Sequence, residues 1–371
     1  MHSDWTPRTR ALEILTGGKP DQVPWFADLD YLATGQIARG EKPADFKQTA
    51  AYLDWHRELG AGFYLQGHFP FRQIIENCEV KEWREGQLRY RRIVTPHGDL
   101  TECWKWSDST YSDAPIERLV KSERDLAPYR FVYNNLRFEP DYGRSTRLLE
   151  SVADIGLVLC YTPRSPFMRL VALDAGIENL ITAYMNKPDE FQDTIRVMKQ
   201  TLDAAVKIAL ESPAEILMIP ENLSSEVVGV NFFEMFMKDI QADWIDKIHA
   251  AGKYSTIHID GTLKGLLRQE AALGFTFIEA MTPAPTGDLA VSEWADYLQE
   301  AGCIGWGGVP GAFFSRQVSD EEFDNHVIET LKIMRRKPKY VLGVADQVPP
   351  NGTERRVRRV RELVDEYGKY E

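Results

Sequence analysis

The chain has 371 residues, 43% hydrophobic and 27% charged, a balance typical of a globular protein able to bury a large core. Its formal net charge of −12 argues against nucleic-acid or anionic-membrane partners. No apolar run reaches the roughly 18 residues of a membrane span. The first ten residues carry no apolar signal core, and Cys78, Cys103, Cys160 and Cys303 form no Cys-x-x-Cys pair, so a cytoplasmic chain with free thiols is expected. A Cys78–Cys103 contact across a hairpin stays open.

Taken in order, Thr6 to Leu15 reads as a short amphipathic helix stopped by Gly17-Gly18. Val23 to Asp30 is the first strand candidate, and helical periodicity over Asp45 to Leu59 ends at Gly60. Phe63 to Gln66 is the second strand, followed by Gly67 and His68. Residues 74 to 106 read as a β-meander, with turns at Glu85-Gly86 and Pro96-His97-Gly98. Helices are predicted over Leu126 to Asn134 and Tyr142 to Ala153, then a strand over Leu157 to Tyr161. Further helices are expected at Phe167 to Leu173, Glu178 to Met185 and Pro188 to Leu210. The remaining strands are Ile216 to Pro220, Tyr254 to His258, Phe277 to Glu279, Ile304 to Gly307 and Tyr340 to Val344. Between them lie helices over Phe232 to Met237, Ile240 to Ala251, Leu263 to Gln269, Val291 to Leu298 and Asp320 to Arg335. Thr353 to Tyr370 closes the chain as a helix whose basic run, Glu354 to Arg361, is expected to face solvent. His56, His249 and His326 are expected on helix surfaces.

Eight strands alternating with helices predict parallel βα units and an α/β fold, a (β/α)8 TIM barrel. The 1–371 chain is read as one domain carrying the meander as an insertion. A doubly wound sheet is the rival, but no Gly-x-Gly-x-x-Gly turn follows the first strand.

Barrel chemistry sits where strands end. Those ends supply Asp28 and Asp30, Gln66 and His68, Arg164, Glu221 and Asn222, His258 and Asp260, Glu279, Trp306 and Asp346. His258 and Asp260 are two apart and share a side of an extended strand. His258, Asp260, Asp346 and Glu279 form an N/O set that suits Zn²⁺, and Mn²⁺ or Fe²⁺ equally; the other reading is a salt-bridge cluster around His258. Glu221 and Glu279 are the general-base candidates. Asn222, Arg164, Asp28, Trp306 and His68 are the candidate substrate contacts, and Trp25, Phe69 and Trp306 a candidate aromatic wall.

Several of these stretches resemble the uroporphyrinogen decarboxylase superfamily: Pro7-x-x-Arg10-Ala-Leu-Glu13, Pro20-Asp21-x-Val23-Pro24, Pro220-Glu-Asn-Leu-Ser224, His258-Ile-Asp-Gly261 and Gly343-Val-Ala-Asp346-Gln-Val-Pro-Pro350. That superfamily contains decarboxylases and cobalamin-dependent methyltransferases. The methyltransferase branch places zinc on a His-x-Cys pair and a later cysteine before a Pro-Pro segment. His258 matches the histidine, while Asp260 and Asp346 stand where the cysteines would be. The decarboxylase branch's Arg-Gln-Ala-Gly-Arg loop is replaced by Trp25-Phe-Ala-Asp-Leu-Asp-Tyr31, which argues against porphyrinogen decarboxylation. The resemblance therefore implies methyl transfer between a small-molecule donor or acceptor, such as a thiol, and a corrinoid supplied by a partner protein. A metal-dependent hydrolase or lyase, or a ligand-binding barrel without turnover, remains the alternative.

Overall fold

Residues 254 to 259, Tyr-Ser-Thr-Ile-His-Ile, have the β-branched content of a buried strand, and in the computed structural model they lie near the middle of a parallel sheet. The structure describes residues 5–64, 68–298 and 300–371. The parallel strands are β1 (Trp25–Phe26), β2 (Phe63–Tyr64), β3 (Leu159–Tyr161), β4 (Ile216–Leu223), β5 (Tyr254–Ile259), β6 (Phe277–Met281), β7 (Ile304–Pro310) and β8 (Tyr340–Ala345). Seven of them form one curled sheet in the order β1-β8-β7-β6-β5-β4-β3. β2 pairs in parallel with Gly156–Leu157, just ahead of β3, and a bridge joins Phe26 of β1 to Gly62. The architecture is an α/β fold with a curled parallel sheet, compatible with a TIM-barrel-like fold.

Period-two alternation sorts each strand into two faces. Phe26, Tyr64, Leu159, Ile216, Met218, Phe277, Ile304, Trp306 and Val341 gather in an inner core. Their alternates, such as Leu217, Ile219, Ile257 and Ile278, pack against the surrounding helices.

The expected meander is present but longer. Glu79–Glu85, Leu88–Thr95, Gly98–Ser107 and Ser112–Glu117 form a four-stranded antiparallel sheet. Phe71–Ile75 pairs with a strand at Leu136–Pro140 that was not predicted. Other differences are local. The helix Asp30–Ala38 replaces the end of the predicted first strand. The helix after β5 begins at Leu267, because Asp288 accepts from the backbone N–H groups of Leu263 and Lys264 and holds that stretch as a loop. The basic run in the last helix, Glu354–Tyr367, is not wholly solvent-facing: Arg356 is buried and donates to the carbonyls of Phe313, Ser315 and Val318. His56 is fully buried against Tyr52 and Phe63, whereas His249 is exposed and bonds Ser255. His326 is half-buried and bonds the Gly308 carbonyl. All four cysteines are free.

Candidate active site

β5 and β6 run side by side with His258 opposite Glu279 in register. Both residues fall on the inward face, in step with Phe277 one pair below. His258 Nδ1 lies 2.7 Å from Glu279 Oε2, and the Tyr64 hydroxyl donates to Glu279 Oε1 at 2.8 Å. Glu279 is completely buried and His258 is 6% exposed. Immediately after Glu279 the ladder to β7 shifts register, and Ala280 takes φ 64°, a left-handed conformation that costs an alanine energy. Such a bulge re-aims the strand end at the site it borders.

The other ring nitrogen, Nε2, faces Asp346 Oδ1 at 3.6 Å. That distance is too long for a hydrogen bond, and Asp346 Oδ1 is buried without a hydrogen-bond partner. Asp28, at the end of the neighbouring β1, has one oxygen accepting from the Asp30 N–H and the other buried and unpartnered. Asp260 stands on the exposed rim and shares with Asp346, Tyr31, Thr282 and Gln347 a mouth pocket of about 260 Å³.

The electrostatics follow from this crowding. Burial works against a charged His258, but the Glu279 carboxylate, then Asp346 and Asp260, outweigh it and raise the imidazole to about 9. Burial raises Asp346 to about 6, with His258 opposing and Glu279 adding to the rise. Burial, with Asp30 next, holds Asp28 well above the usual carboxylate range.

The metal that the superfamily resemblance implies can be tested against these donors. Two ligands on a tetrahedral ion with ~2.1 Å bonds lie about 3.4 Å apart. His258 Nε2 and Asp346 Oδ1 have nearly that spacing, and the unpartnered Asp346 oxygen is the kind of donor such an ion would satisfy. The pair fits a divalent cation. The set is open rather than a cage: among the described residues no three His, Cys, Asp or Glu side chains converge as a metal-holding group. Glu279 does not face the same space. Its contacts with His258 and Tyr64 put it behind the imidazole, the place of a group that fixes a ligand's tautomer.

Two further expectations need correction. Glu221 is on the outward face of β4, in step with Leu217 and Ile219 rather than Met218. It is completely buried, accepts from the Ser165 N–H at 3.1 Å and from Gln241 Nε2 at 3.1 Å, and burial raises its pKa. It therefore faces the helix layer, not the group around His258. Trp306 is 1% exposed and lies among Phe26, Tyr64 and Phe277, with ring centroids 5.0 to 5.4 Å away, as the floor beneath Glu279 rather than a wall of the mouth. Trp25 is buried against Phe314 on the outer side, so of the three predicted wall aromatics only Phe69, packed on Tyr161, is exposed.

Asn222 and Arg164 do meet. Asn222 takes φ 52° at a bulge in β4, and Arg164 Nη2 donates to its Oδ1 at 2.8 Å. Arg164 makes no salt bridge among the described residues, and burial lowers its pKa. His68 is buried, its carbonyl accepting from the Tyr161 N–H at the end of β3, and burial lowers its ring to about 4. Gln66 lies outside the described residues. Tyr64 was missed by sequence reasoning; its inward parity with Phe26 on the adjacent strand was the available signal.

The family model for uroporphyrinogen decarboxylase (URO-D) matches residues 155–367. No curated protein matches the sequence significantly. Among solved structures, the chain is similar to a methyltransferase from Methanosarcina mazei, with a TM-score of 0.64 at 13% identity, covering 98% of this chain and 99% of that one. Catalytic modules of a pneumococcal exo-β-D-N-acetylglucosaminidase match 61% of this chain and 63% of theirs at 10% identity, with TM-scores of 0.32 and 0.34 too low to inform function.

Proposed function

We propose, from the premise that this chain belongs to the uroporphyrinogen decarboxylase family, that it is a methyltransferase. It would move a methyl group between a corrinoid, on a partner protein or as methylcobalamin, and a small thiol or similar substrate. We read the β2 ladder and the Phe26–Gly62 bridge as closing the eight strands into a (β/α)8 barrel, one domain with the four-stranded meander inserted. A cytoplasmic location accords with free thiols and with the finding that no described helix is long and apolar enough to cross a membrane.

The observation that carries the reading is the His258–Asp346 pair, two donors 3.6 Å apart at the end of the sheet where strands finish. His258 and Asp346 would hold Zn²⁺ or another divalent ion, and Asp260 would join them only by turning in from the rim. Bound there, such an ion supplies Lewis acidity, which lowers the pKa of a thiol or polarises an oxygen. The chain's own groups do the rest. Glu279 accepts from His258 Nδ1–H and keeps Nε2 aimed at the mouth, where a bound cation would take the place of its proton, while Tyr64 holds the carboxylate in place. Arg164 and Asn222 orient the substrate from the opposite rim. Phe69 and Tyr161 shield the mouth from water on the β2–β3 side.

The test is a Co²⁺ titration followed by its visible d–d bands. Wild type is expected to bind one equivalent, and Asp346→Asn at least about tenfold more weakly, with unchanged circular dichroism. Equal affinities would remove Asp346 from the site and the reading with it.

A further inference from the structure

A larger cavity, about 760 Å³, opens between helices Ala50–Leu59 and Gly143–Val152 and shares no lining residue with the mouth pocket that holds Asp346. Its wall carries three cations, Lys47, Arg144 and Arg147. Lys47 is answered by Asp30 at 2.9 Å and by the Thr34 hydroxyl. Neither arginine makes a side-chain hydrogen bond or a salt bridge among the described residues, although Glu150 stands on the same rim. In a chain of net charge −12, two guanidinium groups in one concavity that pair with neither Asp30 nor Glu150 stand out. Long basic side chains on such a surface ordinarily find acidic neighbours, and guanidinium forks match carboxylate and phosphate oxygens two at a time.

A second observation is independent of charge. Tyr52 lines this cavity, is only 5% exposed, and its hydroxyl has no hydrogen-bond partner among the described residues. The ring is buried while the hydroxyl stays open to the cavity, which puts an uncommitted donor where a ligand atom would sit. The two flanking helices also begin here with N-caps, Thr49 and Tyr142, whose side chains make no capping bond, so their first N–H groups remain available to an acceptor.

We infer that this cavity is a second binding site, for a small molecule bearing a phosphate or carboxylate group, held by Arg144 and Arg147 with the Tyr52 hydroxyl donating to it. The site does not depend on methyl transfer being the reaction at the mouth.

The test is isothermal titration of the full chain with inorganic phosphate and, separately, with succinate, at fixed ionic strength in chloride. Saturable binding of either anion by wild type is expected, with the tighter anion identifying the ligand class. Arg144→Gln/Arg147→Gln should weaken it at least about tenfold, and Tyr52→Phe by a smaller factor, with thermal unfolding of each variant confirming the fold. If the double variant unfolds, Arg147→Gln alone, at an exposed position, must still weaken binding. Failure of wild type to bind either anion at millimolar concentration, or wild-type affinity in the arginine variants, overturns the inference.

Discussion

Replacing Glu279 by Gln keeps the shape of the side chain and removes its charge from beside His258. In the wild type, moving the imidazole from 6.5 to about 9 corresponds, at ~1.4 kcal/mol per pH unit, to about 3 kcal/mol favouring the charged ring. The folded-state value is raised, so this stabilisation is complete below pH 6.5 and is lost as pH rises through 9. In Glu279→Gln only Asp346 and Asp260 still oppose burial, and His258 is expected to titrate well below 9. The assay is NMR titration of the imidazole signals in metal-free protein kept in chelator, which is tractable with seven histidines in the chain. Urea unfolding supplies the second readout: wild type should lose more stability than the variant between pH 6.5 and 9.5, by up to about 3 kcal/mol. A His258 that still titrates near 9 in the variant, or one already at 6.5 in wild type, would refute the assignment of Glu279 as its anchoring carboxylate.

His56 gives a prediction of the opposite sign. Burial lowers its folded-state value to about 3, so stability is present above pH 6.5 and drains away as pH falls. Between pH 6.5 and 5, urea unfolding of His56→Gln should lose about 2 kcal/mol less stability than wild type, and parallel losses would contradict this. Trp306→Ala removes the floor of the inner core and should cost about 3–5 kcal/mol in chemical denaturation. A cost under about 1 kcal/mol would show that the ring is not the packing element described, since such truncations in a tight core cost several times that.

The strands were legible because each is a short β-branched or aromatic run bounded by turn residues, and their ends located His258 and Asp346 on the same side of the sheet. What the letters obscured was parity. Glu221 was read as a mouth residue because it closes a strand, yet Leu217 and Ile219 share its face and that face meets the helices. Counting in twos from Met218 would have turned it outward. The same count from Ile304 places Trp306 on the inner face of the sheet, and β7 continues to Pro310, so the tryptophan sits well below the mouth. Tyr64 and Glu279 converge from strands far apart in sequence, a contact made as the strands curl around the inner core. The fourth meander strand, Ser112–Glu117, contains Pro115 and two acidic residues, which weaken its signal; as an edge strand it tolerates all three. His56 was misplaced because its helix, Ala50–Leu59, buries Tyr52, Leu53, Trp55, His56 and Leu59, an apolar face broad enough to take in the imidazole.

The most direct measurement is the rate at which methylcobalamin is demethylated by a thiol, followed by loss of its methyl–cobalt absorbance, with divalent metal supplied. The wild-type chain should accelerate the reaction saturably, and His258→Ala should return it to the uncatalysed rate while keeping its circular dichroism. Equal rates for the two proteins, or a wild type that accelerates nothing under any of Zn²⁺, Mn²⁺ or Fe²⁺, would contradict a methyl-transfer centre built on His258 and Asp346.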